Sequence, residues 1–268
     1  MHENMALHLH AVSHAGRVRA DNEDSHALHL QAALLAVADG MGGGPAGEVA
    51  SAMAISICAD DLAAQVALQP ELLQADLAED DILRIEALMR SQARRANAAI
   101  HERAQQDPAC AGMGTTLVMA VIRGADLLVG HAGDSRAYRL RPRAWRLPQG
   151  VQYRHEVIRL TRDHNVGEVP RLTRAIGVEP DVVLEMHRHR LMPEDIVMLC
   201  SDGLTDMVAD ARIEQIAHQV LAHRGASATQ DDLVALGQAL FDEAMRAGGQ
   251  DNITIVLASR TDHPTESV

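Results

Sequence analysis

The chain has 268 residues, a formal net charge of −13 and an isoelectric point near 5.5, a length that suits one large domain or two small ones. This acidity argues against nucleic acid or an anionic membrane as the main partner, because both need a basic face. Lysine is absent and all 24 basic residues are arginines, which excludes Schiff-base chemistry and a P-loop lysine.

The first half of the chain combines strand and helix patterns. Alternation of apolar and polar residues predicts a half-buried strand over 7–12, and a continuous apolar run predicts a central strand over 34–38. A glycine-rich turn over 40–45 leads into an alanine-rich helix over 47–66. A second helix is predicted over 79–104, because its apolar residues fall on one face. Those residues are Ile82, Ile85, Met89, Ala96 and Ile100.

The middle of the chain is typical of strands, and two helices follow it. Strands are predicted over 115–122, 127–132, 136–141, 155–161, 182–191 and 195–201. One helix is predicted over 211–223, stopping at Gly225. The other is predicted over 230–247, because a capping-box pattern, Thr229-x-x-Asp232, precedes it and two glycines follow it.

A last strand is predicted over 253–259. Strand blocks and helix pairs are segregated along the chain and do not follow a strict βαβα order. This pattern favours an α+β fold, with a central antiparallel β-sandwich flanked by two pairs of α-helices. We therefore predict a single domain over residues 1–268.

The cysteines and the N-terminal residues indicate the cellular compartment of the protein. The three cysteines, Cys58, Cys110 and Cys200, are far apart and lack the spacing of a zinc site, so we expect free thiols in a reducing, cytoplasmic setting. The N-terminus carries an acid and no apolar run, unlike a signal peptide. The apolar stretches are predicted to have the length of strands, which is shorter than the ~20 residues of a membrane-spanning helix.

Three aspartates lie at the ends of strands that have the composition of buried ones. Asp39-Gly40 and Asp202-Gly203 follow such strands, and Asp251-Asn252 precedes one. A carboxylate at such a corner is costly unless it is hydrogen-bonded or bound to a cation. Three acids on rigid strand ends therefore predict a hard-metal site built from oxygen ligands.

A charged segment near the N-terminus has two interpretations. Arg19 precedes the adjacent acids Glu23 and Asp24 by a few residues. The acids would extend a metal site, and the arginine would hold a phosphate through two parallel hydrogen bonds. Taken alone, the segment is better described as a solvated charged turn.

Six motifs occur in one order along the chain. They are Arg19…Glu23-Asp24, Asp39-Gly40-Met41-Gly42-Gly43, Gly112-Met113-Gly114-Thr115-Thr116, Gly130-His131-Ala132-Gly133-Asp134-Ser135-Arg136, Ser201-Asp202-Gly203 and Asp251-Asn252. In order, composition and strand context, this set resembles the metal-dependent serine/threonine protein phosphatases, the protein phosphatase 2C-like (PPM) family, in its bacterial form. The resemblance covers roughly residues 7–259 and implies the same β-sandwich, with a dinuclear metal site at one end.

The resemblance implies a ligand set for two divalent ions, Mg²⁺ or Mn²⁺. The matched positions are Glu23, Asp24, Asp39, Gly40, Asp134, Asp202 and Asp251. Asp39 would bridge the ions, and Asp202 with Asp251 would hold one of them. The Gly40 carbonyl and the pair Glu23-Asp24 would hold the other, partly through water.

Two further positions carry roles in the family. Asp134, together with Asp202, matches the position that helps to bind a third, weaker ion in bacterial members. Arg19 matches the phosphate-binding arginine. The resemblance thus makes Arg19, Asp39 and Asp202 the catalytic residues.

The implied reaction is hydrolysis of phosphoserine and phosphothreonine in proteins, opposing a serine/threonine kinase in signalling. Two cations activate a bridging water as hydroxide and stabilise the entering and leaving oxygens. Arg19 would neutralise charge on the spectator oxygens. No cysteine is followed six residues later by arginine, as a cysteine-based phosphatase loop requires. Met41 stands where many eukaryotic relatives carry a histidine, and methionine cannot donate a proton.

The chain departs from the family pattern in two places. Only residues 165–171 connect segments that usually flank a longer flap, which is linked to substrate choice and the third ion. The arginine-rich stretch 141–154, which holds the only tryptophan, replaces a tight hairpin. It is interpreted either as a solvated hairpin extension or as a docking surface for a partner.

Two other functions compete with this interpretation. A pseudophosphatase would bind phosphoprotein with little turnover, but such proteins lose ligand acids and this chain keeps all six that match. A nuclease with two metal ions is disfavoured by the acidic charge and the lack of stacking residues. The expected partner is a phosphorylated protein, with no nucleic acid and no membrane, and the expected state is a cytoplasmic monomer.

The 15 histidines are scattered along the chain. His187 and His189 lie at strand spacing on one face, where adventitious metal binding is conceivable but a surface or structural role is predicted. For His131 and His164, which lie near motifs, packing or hydrogen bonding is predicted.

Overall fold

The computed structural model describes residues 5–42, 46–147, 150–166, 171–222 and 227–262. Four features predicted above lie wholly or partly outside these ranges. They are the N-terminal segment 1–4, the turn over 43–45, most of the short connection between 165 and 171, and the helix stop at Gly225.

Thirteen strands are present in the described part of the chain. They are β1 Met5–His14, β2 Asp24–His29, β3 Leu34–Met41, β4 Gly114–Thr115, β5 Leu117–Arg123, β6 Asp126–Ala132, β7 Arg136–Leu147, β8 Gly150–Arg159, β9 Asn165–Val166, β10 Arg171–Leu172, β11 Glu185–Arg190, β12 Ile196–Cys200 and β13 Ile253–Asp262. The six α-helices are α1 Ala46–Ile55, α2 Asp61–Ala67, α3 Glu79–Gln106, α4 Asp202–Thr205, α5 Asp210–Leu221 and α6 Gln230–Ala247.

Eleven of these strands form two antiparallel sheets that face each other, and β9 and β10 pair separately. One has the order β1-β13-β12-β7-β8, and the other has the order β11-β6-β5-β3-β2 with β4 paired to β3. Between them lies an aliphatic core, as the scarcity of aromatic residues requires. It includes Leu35, Val37, Val118, Val129, Val197, Leu199 and Val256. The predicted antiparallel sandwich is confirmed.

Helices cover both outer faces of the sandwich. The segment from α1 to α3 packs on the six-stranded sheet, and α5 and α6 pack on the five-stranded sheet. All five apolar residues predicted to share one face of α3 are fully buried. The capping box of α6 is present, with the side chains of Thr229 and Asp232 each bonded to the other's backbone. The predicted helix pairs are therefore confirmed.

The structure corrects several local predictions. Strand β2 and the short helix α4 were not predicted. The helix expected over 47–66 is interrupted by a π-helical turn, Ser56–Asp60, so that two shorter helices replace it. The strand expected over 182–191 is shorter, because only Glu185–Arg190 pairs with β6.

Length and mean hydropathy alone would allow the segment Ala46–Ala67 to cross a membrane, which corrects the expectation that every apolar stretch is strand-sized. Half of it is buried inside the domain. Its buried side chains, such as Ala50, Ala54 and Leu62, belong to the core beneath the six-stranded sheet, so its composition is explained by packing.

The stretch 141–154 forms a hairpin extension. β7 and β8 pair continuously from Tyr138↔Arg159 to Leu147↔Gly150. The shortened connection between 165 and 171 is framed by a two-stranded pairing, in which Asn165 faces Leu172. Of the two interpretations of 141–154, the hairpin describes its shape, and the docking role stays a prediction.

His155 on β8 gives a prediction for stability. Its side chain is 4% exposed and its Nδ1 has no hydrogen-bond partner among the described residues. Burial lowers the pKa of His155 from 6.5 to about 4, and nearby His218 adds to the effect. As the pH falls, the unfolded chain therefore takes up this proton before the folded chain does. The contribution of this group to the free energy of unfolding is complete above pH 6.5 and is lost progressively as the pH falls towards 4.

Urea unfolding should show that the His155→Leu variant loses less free energy of unfolding than the wild type between about pH 7.5 and about pH 5. The expected difference is about 2 kcal/mol. Equal pH slopes in the two proteins would contradict a buried neutral imidazole.

Candidate metal centre

The hairpin of β2 and β3 brings the first two carboxylates together. Asp24 opens β2 and lies directly opposite Asp39 in the β2–β3 register. Asp39 faces a cavity of about 770 Å³. Asp24 is only 8% exposed, accepts a hydrogen bond from Ser201 Oγ at 2.7 Å, and has a second oxygen, Oδ1, with no partner among the described residues.

The neighbouring strands β12 and β13 supply the next two acids. Asp202 follows β12 at the start of α4, and Asp251 precedes β13 by two residues. A close backbone approach fixes this corner, because a Cβ placed on Gly203 would lie 2.0 Å from the carbonyl oxygen of Asn252. Glycine at 203 is thus required for the ends of the two strands to meet.

Gly40 sits at a second close approach. Its N–H donates to the carbonyl of Glu23 at 3.1 Å, and a Cβ on Gly40 would lie 2.1 Å from the carbonyl oxygen of Gly47. The Glu23 carboxylate lies against Gly47 in the first turn of α1. This position suits an acid, because the N-terminus of a helix carries partial positive charge.

Two threonines hold the backbone of Asp39. Thr116 N and Thr115 Oγ1 donate to the Asp39 carbonyl at 2.9 and 2.8 Å, and Asp39 N donates to Thr116 Oγ1 at 2.9 Å. Ser135 bonds Thr116 through its hydroxyl at 2.7 Å. The threonine motif and the motif around Asp134 therefore position the central aspartate.

Asn252 connects the loop before β2 to the start of β13. Its Oδ1 accepts from Glu23 N at 2.8 Å, and its Nδ2 donates to the carbonyls of Ala15 and Asp21 at 3.1 and 2.9 Å. The sequence placed Asn252 in a motif but assigned it no role. The adjacency of Asp251 and Asn252 was the only signal, and the contacts join residues more than 200 positions apart.

Arg19 forms an ion pair with one of the acids of the cavity. Its Nη2 lies 2.7 Å from Asp251 Oδ2, with 54% of the arginine side chain and 37% of the aspartate side chain exposed. Among the cavity's acids in the described residues, Asp251 alone has an ion-pair partner. An exposed pair of this kind adds little stability, so the guanidinium is free to exchange partners.

Electrostatics at the cavity favour a cation. Burial raises the pKa of Asp39, and the carboxylates of Asp24 and Asp202 raise it further. Burial likewise raises the pKa of Asp202, with Asp134 and Asp206 adding to the rise. Carboxylates that repel one another in a partly buried place fit divalent cations, which supply the missing positive charge.

Seven predicted site residues line this one cavity, and one does not. Those that line it are Arg19, Glu23, Asp39, Gly40, Asp134, Asp202 and Asp251. Asp24 does not line the cavity, and its carboxylate accepts a hydrogen bond from Ser201. The opposite wall carries Arg174 and the exposed side chains of Val178 and Val183.

Comparison with known proteins places this arrangement in context. A family model described as protein phosphatase 2C matches residues 13–236. The serine/threonine phosphatase stp of Listeria welshimeri is 32% identical over 264 residues, covering 95% of this chain and 96% of that protein. The serine/threonine protein phosphatase PstP of Mycobacterium tuberculosis is 34% identical over 97% of this chain, which spans about half (46%) of PstP.

Solved structures show the same fold. The crystal structure of the catalytic domain of PstP in complex with two manganese ions superposes with a TM-score of 0.71 at 29% identity, covering 97% of this chain and 100% of that one. A crystal structure of a bacterial serine phosphatase superposes with a TM-score of 0.75 at 25% identity, covering 97% and 100%.

Proposed function

The chain belongs to the protein phosphatase 2C family of serine/threonine protein phosphatases, and on that premise we propose that it hydrolyses phosphoserine and phosphothreonine in proteins at the acidic cavity. The family depends on Mg²⁺ or Mn²⁺. The observation that carries the proposal is the convergence of Asp39, Asp202 and Asp251 from three strand ends on one cavity.

The residues present would hold two cations. Asp39, central among the acids, would contact both ions, with Asp202 and Asp251 on one side and Gly40 and Glu23 on the other. When bound, the cations lower the pKa of coordinated water and so supply the nucleophile. Asp134 sits beside Asp202 on the cavity wall, which supports a weaker additional site there.

Arg19 would orient the phosphate and neutralise its charge through a pair of parallel hydrogen bonds. Met41 lines the cavity and cannot protonate the leaving oxygen. We infer that water donates this proton.

Phosphoprotein substrates follow from membership of the family. We further propose that the chain acts as a cytoplasmic monomer that opposes a serine/threonine kinase. Its net charge of −13 supports a partner other than nucleic acid or an anionic membrane. Retention of all six matched acids supports turnover over the role of a pseudophosphatase.

The proposal is tested with purified protein, Mn²⁺ and matched phosphopeptides. Phosphoserine and phosphothreonine peptides should release phosphate, the phosphotyrosine peptide should release much less, and EDTA should stop the reaction. Binding of phosphopeptide without release of phosphate would favour the pseudophosphatase.

Arg19→Ala should raise KM for a phosphopeptide by about 10-fold to 100-fold, because a charge-assisted pair of hydrogen bonds to phosphate is lost. The affinity for Mn²⁺, measured by calorimetry, should be retained, because Asp251 in this variant has no arginine partner that competes with the ion. Arg19→Lys is the matched control and should restore only part of the affinity, since lysine lacks the planar fork. Loss of Mn²⁺ from Arg19→Ala would argue against the phosphate-binding role.

A further inference from the structure

A second group of ligand-type side chains lies outside the lining of the acidic cavity, where β6 meets the edge strand β11. His131 on β6 is directly opposite Glu185 on β11, and His187 lies two residues further along β11 on the same face. Ligand atoms of these three side chains all lie within 4.8 Å of one another. They are the one such group of histidine, cysteine and acidic side chains in the described ranges, and none of the three lines the acidic cavity.

His131 presents a free ring nitrogen inside the protein. The residue is 0% exposed, and its Nε2 lies 3.0 Å from the carbonyl oxygen of Arg162. A carbonyl only accepts hydrogen bonds, so Nε2 carries the proton and Nδ1 carries the lone pair. Nδ1 has no hydrogen-bond partner among the described residues. A buried, unpartnered acceptor of this kind calls for a ligand.

Glu185 is ionised and oriented by its neighbours. Its Oε1 lies 2.9 Å from His187 Nε2. Its Oε2 lies 3.0 Å from His164 Nε2 and 3.3 Å from Nη1 of Arg174, which lines the acidic cavity. His164 Nδ1 accepts from Gly133 N at 3.1 Å, so the His164 Nε2–H is the donor to Glu185. The hydrogen bond from His164 is the main reason that the pKa of Glu185 falls to about 2.

We propose that His131, Glu185 and His187 form a binding site for a transition-metal ion of the Zn²⁺ class, separate from the hard-metal centre. Two imidazoles and one carboxylate are a donor set suited to Zn²⁺, Co²⁺ or Fe²⁺, whereas Mg²⁺ prefers oxygen ligands alone. This goes beyond the sequence interpretation, which predicted a packing or hydrogen-bonding role for His131 and a surface or structural role for His187.

The surroundings match those of metal-binding histidines. Such histidines donate their second ring N–H to a carbonyl or carboxylate, which fixes the tautomer and the ring direction. His131 does this through Arg162, and His164 supports the carboxylate of Glu185 in the same way. Glu185 and His187 are half-buried, so an ion can enter from solvent and keep open coordination positions for water.

The test uses Co²⁺ as a spectroscopic probe in the full chain, with excess Mg²⁺ present to fill the oxygen sites. Wild-type protein should show a visible absorption spectrum of Co²⁺ bound to nitrogen and oxygen ligands, and Zn²⁺ should displace it at one equivalent. Glu185→Gln and His187→Gln should each weaken Co²⁺ binding by at least about 10-fold. Both positions are half-buried on an edge strand, and circular dichroism checks that the variants fold.

His189→Gln is the matched control, because His189 lies on the same strand and face but is not one of the three ligands. It should keep the spectrum, and so should Asp202→Asn, which alters only the acidic cavity. The proposal fails if wild type shows no such spectrum, if the two ligand variants keep it, or if His189→Gln loses it equally. Metal binding is the readout, so the result is independent of phosphatase activity.

Discussion

Replacing Asp202 by asparagine should reduce Mn²⁺-stimulated hydrolysis of a small aryl phosphate by about 1000-fold, or ~4 kcal/mol in the barrier. Asparagine keeps the shape of the side chain but removes the charge that would hold a cation at the meeting point of β12 and β13. Steady-state kinetics over a range of Mn²⁺ concentrations measure the loss. Near wild-type activity would contradict the ligand assignment.

The same substitution should make the metal-free protein more stable. Burial, with Asp134 and Asp206 nearby, raises the pKa of Asp202 from 3.8 to about 7. The folded state therefore resists ionisation of this group, and the wild type loses stability as the pH rises from 3.8 to 7. The gain from Asp202→Asn should be complete above about pH 7 and disappear below about pH 4.

Thermal unfolding in EDTA at several pH values measures this gain. Asp242→Asn, an equal change of charge on the exposed face of α6, is the control and should change neither activity nor the pH profile appreciably. If Asp202→Asn lowered the stability of the protein in EDTA, this carboxylate would have a structural role and not the role of a metal ligand.

Gly203→Ala should destabilise the protein by about 3 kcal/mol and lower kcat/KM by about 100-fold. The added Cβ would lie 2.0 Å from a backbone oxygen of Asn252, and backbone cannot move aside as a flexible side chain can. The start of α4 and the segment before β13 must separate, which draws Asp202 away from Asp251. Urea unfolding and phosphopeptide kinetics measure the two effects.

Gly237→Ala in α6 is the matched control for this substitution. Its added Cβ would meet the ring of His10 at 2.8 Å, and a side chain on the protein's outer layer can rotate away. Alanine also favours a helix interior over glycine. Equal losses in the two variants would show that the contact at Gly203 has no special importance.

The grouping of acidic residues around one cavity was largely predictable because most of these residues have a local signature. Asp39, Asp202 and Asp251 each adjoin an apolar strand and a turn residue, and both features are visible in a few consecutive letters. The positions of Glu23 and Gly40 followed from the family motifs. Asp24 was grouped with Glu23 by adjacency, but its carboxylate accepts a hydrogen bond from Ser201 and does not line the cavity.

Features that depend on contacts between distant segments were not predictable. Strand β2 contains two histidines and little apolar periodicity, and it forms because β3 offers a partner along its whole length. The π-helical turn at Ser56–Asp60 is a shift in backbone hydrogen bonding with no sequence signature. His131 and Glu185 are 54 positions apart and become neighbours only through the register of β6 and β11.

The ion pair between Arg19 and Asp251 would couple the binding of the metal ion to the binding of the phosphoryl group. A guanidinium that neutralises Asp251 is unavailable to an incoming phosphoryl group, and a cation at Asp251 would release it. Binding of the ion would therefore raise the affinity for the anion, and thermodynamic reciprocity would require the anion to raise the affinity for the ion by the same factor. The enzyme would bind its substrate tightly only once the metal ion is bound. Depletion of free metal would therefore lower both its catalytic rate and its affinity for the substrate.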